Sequence, residues 1–189
     1  MGAKSRLQKQ LIGICLISLF TCVLCFWLYI VLACTFLQPL AITGMTVFFH
    51  LAARLLIGTI FEKIYHNQMH FCRPWFRPKP WEARLYKALR VKQWKKYMPT
   101  FSPETFAFDK QRLHSILGAT CQAEMVHLCS VAVSFVPLLF AKWFGAFAVF
   151  AITSVLAGAF DSAFVILQRY NRARMWNLLN KLQAKENAQ

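Results

Sequence analysis

Negative charge is what this chain has least of. Only seven of its 189 residues are Asp or Glu, against 22 Lys and Arg, for a formal net charge of +15. Charge of either sign is thin overall, since 15% of residues are charged and 58% are hydrophobic. That hydrophobicity excludes a disordered chain, which lacks the apolar surface to fold. Cysteine is also sparse, with seven residues, far below the density of a secreted disulfide scaffold. The count is odd and the spacings match no zinc pattern. Cys15, Cys22, Cys25, Cys34, Cys121 and Cys129 fall within apolar stretches, where cysteine behaves as a small packing residue. Cys72 alone falls in a polar segment, placed for reactivity in a reducing compartment.

Charge is nearly absent from four long apolar stretches, at about 11–37, 40–61, 115–141 and 143–167. Each exceeds the roughly 20 residues that cross a bilayer as a helix. The sequence therefore predicts an all-α integral membrane bundle of four transmembrane helices, residues 1–189 forming a single membrane domain. The first stretch has a basic start, but it is too long for a signal-peptide core and no A-x-A site follows, so it reads as a span.

The basic residues are segregated. Lys4, Arg6 and Lys9 precede the first span. Twelve of the 22 lie between Lys63 and Arg112, and five more run from Arg169 to Lys185. The turn near Gln38–Pro39 has none, and the other short turn has only Lys142. This is the positive-inside pattern. It predicts a multi-pass cell-membrane protein with a cytoplasmic segment at 62–114, a cytoplasmic tail at 168–189 and both termini cytoplasmic. The short outer turns make two helical hairpins.

Residues 62–114 have too little aliphatic content for a core of their own. Three prolines between Arg73 and Trp81 predict an extended stretch. From Trp81 to Met98, apolar residues recur every three or four positions, with Arg84, Lys87, Lys92, Lys95 and Lys96 between them. That pattern predicts a basic amphipathic helix with aromatic anchors. It could simply lie on the anionic inner leaflet among membrane lipids. It could also hold a phosphate-bearing substrate such as an acyl carrier. The basic residues track the positions topology demands, so no nucleic acid is expected as a partner.

Five ionisable residues stand inside the spans: His50, Arg54, Glu124, His127 and Asp161. Such groups are costly in lipid and mark functional sites by default. Counting back from the inner ends at 1.5 Å per residue, Arg54 and Asp161 lie about 10 Å deep. His127 precedes an uncharged run that covers about 21 Å, which puts it in the same half of the bilayer. All five are thus expected to converge in one inner-leaflet layer. His50 and Arg54 are four apart, and Glu124 and His127 three apart, so each pair shares a helix face. A carboxylate beside an imidazole suits a general base. The same set could be a structural polar network that pins helix pairing. A metal site lacks any H-x-x-x-H or H-x-H spacing.

Three segments carry a family resemblance. They are Trp81-Glu82-Ala83-Arg84-Leu85-Tyr86-Lys87 continuing through Trp94-Lys95-Lys96-Tyr97-Met98-Pro99, then Thr120-Cys121-Gln122-Ala123-Glu124-Met125-Val126-His127, then Gln168-Arg169-Tyr170-Asn171-Arg172-Ala173-Arg174. In order and spacing they resemble the glycosyl-4,4'-diaponeurosporenoate acyltransferase family, over residues 81–174. Departures from that family's pattern are Ala173 for Pro, Met98 for Leu, and Asp161 near an expected Asn.

The resemblance implies transfer of a fatty acyl group from an activated donor to a hydroxyl of a lipid-like acceptor, a glycosylated carotenoid or glycolipid. Acyl-CoA or an acyl carrier protein would be the donor, with no bound cofactor and no metal. His127 would be the base and Glu124 its orienter. Lys95, Arg169, Asn171 and Arg172 would bind donor or acceptor head groups, while His50, Arg54 and Asp161 would line an inner cavity. Two other classes fit the residues: a membrane methyltransferase or reductase with a soluble nucleotide cofactor, and a non-enzymatic lipid-binding subunit. No Gly-rich phosphate loop is present, though membrane enzymes of the former kind do not use one. The small residues Gly145, Ala148, Ala151, Ala157 and Gly158 would allow close packing, and the protein could act alone or as a homodimer.

Overall fold

The computed structural model describes residues 2–97 and 110–187. Met98 and Pro99, which close the first motif, lie outside the described residues. Every regular element among the described residues is helical. In chain order these are α1 (Gly2–Leu32), α2 (Leu37–Tyr65), α3 (Glu82–Ala88), α4 (Val91–Trp94), α5 (Lys110–Val133), α6 (Ala141–Phe144) and α7 (Phe147–Glu186). Short 3-10 turns follow α4 (Lys95–Tyr97) and α5 (Val136–Phe140). Four stretches are long and apolar enough to cross a membrane: Gln8–Leu32, Leu37–Tyr65, Leu113–Phe144 and Phe147–Ala184.

The element ends differ from the sequence expectation, each for a local reason. The first turn lies at residues 33–36, not at Gln38–Pro39. Ala33 takes φ +49°, and the Leu37 amide donates to the Cys34 carbonyl. Pro39 sits in the first turn of α2, where its missing N–H is not needed. Helix α5 stops at Val133 because Pro137 has no amide to give to the Val133 carbonyl. The second short turn falls at Gly145, whose φ of +71° closes α6. Helix α7 runs on to Glu186, well past Leu167, since no Gly or Pro interrupts residues 159–186.

The expected amphipathic helix from Trp81 to Met98 is broken into α3 and α4. Leu89 caps α3 through its amide, and Arg90 turns left-handed at φ +50°. The Trp94 indole then donates to the Leu89 carbonyl at 2.9 Å and fixes the break. Ahead of α3, residues 70–76 form two consecutive turns instead of an extended stretch. The Arg73 amide donates to His70 and the Phe76 amide to Arg73. Pro74 suits the second position of the latter turn.

The chain forms two compact units. The first comprises residues 1–59 and 129–161. Its helices pack through small residues. A Cβ on Gly44 of α2 would come within 3.2 Å of the Cys22 backbone in α1, so a larger residue there would push the two helices slightly apart. Buried Ser18, Thr46 and Ser134 return their hydroxyls to carbonyls of their own helices, which spares them an unsatisfied donor in an apolar setting. Ile17, Phe20, Trp27 and Ile30 of α1 are exposed, as are Ile152, Val155 and Leu156 of α7, surfaces suited to lipid.

The second unit comprises residues 60–128 and 162–189. Leu113 and Leu117 of α5 pack on Met175 and Leu179 of α7, both pairs at four-residue spacing. Met69, Phe76 and Cys121 form an adjoining cluster. The end of α2 is tied in by side chains. Asn67 Nδ2 donates to Glu62 at 2.7 Å, Gln122 Nε2 donates to the same carboxylate, and Gln122 Oε1 accepts from the Asn67 amide. Gly118 lets the carbonyls of Asn67 and Met69 lie 3.1 and 3.2 Å from where a Cβ would stand.

Candidate functional site

The second unit holds a buried ionic network centred on Glu124 of α5. Glu124 is 0% exposed. Its Oε1 accepts from Arg169 Nε at 2.8 Å and from the Trp75 indole at 3.1 Å. Its Oε2 accepts from Arg172 Nη2. Arg169 and Arg172 stand three apart on α7, so both guanidinium groups leave one face of that helix.

The two arginines also hold the segment before α3. Arg169 Nη2 donates to the Trp75 carbonyl at 3.1 Å, and Arg172 Nε donates to the Phe76 carbonyl at 2.9 Å. Each guanidinium lies over the ring of the residue whose carbonyl it holds, at 5.1 Å for Trp75 and 5.2 Å for Phe76. Arg169 Nη1 reaches a second carboxylate, Glu82 of α3, at 2.6 Å. Two carboxylates and two guanidinium groups thus balance one another, as burial of charge requires. The Nη1 group of Arg172, itself 2% exposed, has no hydrogen-bond partner among the described residues.

A rim of aromatic and cationic groups adjoins Glu82. Tyr86 donates its hydroxyl to Glu82 Oε2 at 2.9 Å and meets the Tyr170 ring edge-on at 5.3 Å. Burial, and then the Glu82 carboxylate that accepts its proton, push the Tyr86 phenol above its ordinary value. Lys95 Nζ lies 5.1 Å over the Tyr170 ring, and Lys95 is 8% exposed. Burial, with repulsion from Arg174 and Lys92, pulls the Lys95 ammonium below its ordinary value. His127 is half-buried one turn after Glu124, and its ring stacks on Phe164 at 4.7 Å. Asn171 is half-buried on α7.

The first unit holds a separate pair. Arg54 donates to Asp161 Oδ2 from Nε at 2.9 Å and from Nη2 at 2.5 Å, and to the carbonyls of His50 and Ala157. Asp161 is 0% exposed. His50 Nε2 and Ser154 Oγ are buried in the same unit without hydrogen-bond partners among the described residues. Among the described residues, no three His, Cys, Asp or Glu side chains gather in a way that could hold a metal ion.

Of the five ionisable residues found in the sequence, His50, Arg54 and Asp161 belong to the first unit and Glu124 and His127 to the second. Arg54 pairs with Asp161, while Glu124 is gripped by Arg169 and Arg172. Sequence reasoning assigned no role to Glu82, Tyr86 or Trp75. The scarcity of acids was the available signal for Glu82, which is one of only seven. Its four-residue spacing to Tyr86 was a second.

Every member of the Glu124 network lies between Trp75 and Arg172. A family model for glycosyl-4,4'-diaponeurosporenoate acyltransferase matches residues 72–181. The chain belongs to that family. The match covers more than half of the 189 residues and takes in Glu82, Lys95, Glu124, His127, Asp161, Arg169, Asn171 and Arg172, but neither His50 nor Arg54. Among curated proteins and among solved structures, nothing matches the chain. The acyltransferase family's shared segment is thus the one that builds the second unit's ionic network.

Proposed function

We propose that the protein transfers a fatty acyl group from a thioester donor to a hydroxyl of a lipid-like, glycosylated acceptor at the inner leaflet of the cell membrane. The observation that carries this reading is the buried Glu124–Arg169–Arg172 network within the family-matched segment, with one Arg172 N–H left unclaimed. Acyl transfer needs a base for the hydroxyl proton and a donor for the carbonyl oxygen as it becomes an oxyanion. His127 takes the first role. Its imidazole accepts the acceptor's proton as that oxygen attacks the acyl carbon. Arg172 Nη1 takes the second, donating to the oxyanion. Collapse of the intermediate forms the ester, breaks the carbon–sulfur bond, and returns the proton from His127 to the leaving thiolate.

Glu124 is a positioning residue in this scheme. Held by three donors, it fixes Arg169 and Arg172 and through them the Trp75–Phe76 backbone. Lys95, Arg169 and Asn171 hold the head groups. His50, Arg54 and Asp161 form a polar station for the lipid-like substrate in their own unit. The segregation of Lys and Arg favours cytoplasmic termini. The test is lipid and pigment profiling of cells that make the acceptor and express wild type or His127→Ala at equal levels. The reading expects the acylated product to disappear in the variant. Identical profiles would remove His127 from the chemistry.

A further inference from the structure

The break between α3 and α4 builds an open groove of about 620 Å³ lined by Arg90, Lys92, Trp94, Lys96 and Tyr97. Leu89 and Gln93 complete the lining, so three of its seven side chains are cationic, and between Ala83 and Tyr97 the sequence holds six Lys and Arg and no acid. Glu82, which directly precedes this stretch, already accepts from Arg169 and Tyr86. The positive charge of this segment is therefore not offset by acids of its own.

Two features set this groove apart from a merely basic surface. Arg90 occupies a left-handed backbone position, φ +50°, that Gly or Asn fills at less cost. The Trp94 ring is held by its indole bond to the Leu89 carbonyl, so it offers a flat face of fixed orientation. Tyr97 adds a second ring, with Lys96 Nζ 5.0 Å above it. Cations that match phosphate, set beside aromatic faces that stack on a base, make the combination that recognises a nucleotide.

We propose that this groove binds the phosphorylated nucleotide end of a coenzyme A thioester, the acyl donor. The proposal rests on the acyl-transfer reading and names its donor. Arg90, Lys92 and Lys96 contact the phosphates, and Trp94 and Tyr97 flank the adenine. The pantetheine arm carries the acyl group away from the groove. A lipid head group would also meet the cations and seat the rings at the interface, and the test separates that occupant.

The test measures binding of free coenzyme A to the full-length protein in phosphatidylcholine nanodiscs, with dephospho-coenzyme A and pantetheine as comparison probes. Wild type should bind coenzyme A most tightly, dephospho-coenzyme A more weakly, and pantetheine least. Lys92→Gln and Lys96→Gln should each weaken coenzyme A binding about tenfold, the loss expected for one charge-assisted contact. Arg90→Gly should do the same while suiting the left-handed backbone, so a folding defect does not mimic the effect. Equal affinity for all three probes, or unchanged affinity in the three variants, overturns the proposal. Full displacement of coenzyme A by phosphatidylglycerol in the nanodiscs also overturns it and makes the groove a lipid head-group site. Tight, groove-dependent binding without acyl transfer would leave the site standing and remove the acyltransferase reading. Transfer without groove-dependent binding would do the reverse.

Discussion

Arg169 donates from Nε to Oε1 of Glu124 across 2.8 Å, joining α7 to α5 at a carboxylate with no solvent exposure. Arg172 takes the other oxygen. Removing one partner of a buried ion pair typically costs about 3–5 kcal/mol, because the charge left behind is uncompensated. Glu124→Gln leaves two guanidinium groups without their shared counter-charge. We expect it to lower the unfolding free energy in detergent by roughly 3 kcal/mol or more. Transfer activity should fall with it. Glu124→Asp keeps the charge and should lose less. Wild-type stability in Glu124→Gln would contradict the network's role.

The Arg54–Asp161 pair predicts a non-additive result. Arg54→Met takes the guanidinium away from a buried carboxylate, and Asp161→Leu takes the counter-charge away from a partly buried guanidinium. Each single variant should lose about 3 kcal/mol, while the double variant should be more stable than either. A double-mutant cycle by denaturant titration measures this. Simple additivity would show that the two side chains are not coupled.

Tyr86 links stability to alkaline pH. Its phenol is pushed above the ordinary value in the folded state, so the unfolded chain loses this proton first as pH rises. The stabilisation it supplies is complete below about pH 10 and declines as pH rises through the folded value. Tyr86→Phe should cost about 1 kcal/mol at neutral pH, the worth of one hydrogen bond. The gap between wild type and variant should narrow above about pH 10. A gap that widens there would contradict the Tyr86–Glu82 bond.

Two glycines should behave oppositely. Gly118→Ala drives a methyl against two backbone carbonyls and the Gln68 Cα, none of which can swing aside. It should cost about 1–3 kcal/mol. A Cβ at Gly58 meets nothing within 4 Å. Gly58→Ala should be neutral or slightly stabilising, given the helix preference of Ala. Thermal melts in detergent compare the two directly.

Helix existence was legible in the sequence because charge and apolarity are segregated, and a span needs only length and composition. Helix ends were less legible. Pro39 looked like a turn but is tolerated in a first turn, and Ala33 took the left-handed turn position with no glycine to announce it. Arg90 broke an otherwise continuous amphipathic pattern in the same way. Helix α7 runs on past Leu167 because no Gly or Pro interrupts residues 159–186.

The site was legible as a set of residue types and not as a set of partners. Glu124 and His127 share a helix face by spacing alone. The partners of Glu124 lie 45 and 48 residues further along the chain, and no local periodicity reports a pairing at that distance.

The central claim is that this chain makes an ester at the membrane. Purified protein in liposomes, given an isotopically labelled acyl-coenzyme A and a glycosylated carotenoid acceptor, tests it by mass spectrometry of the extracted lipid. The account predicts an acceptor whose mass rises by one acyl group with wild type and does not change with His127→Ala. An unmodified acceptor with well-folded wild type, or equal product from both proteins, would contradict it.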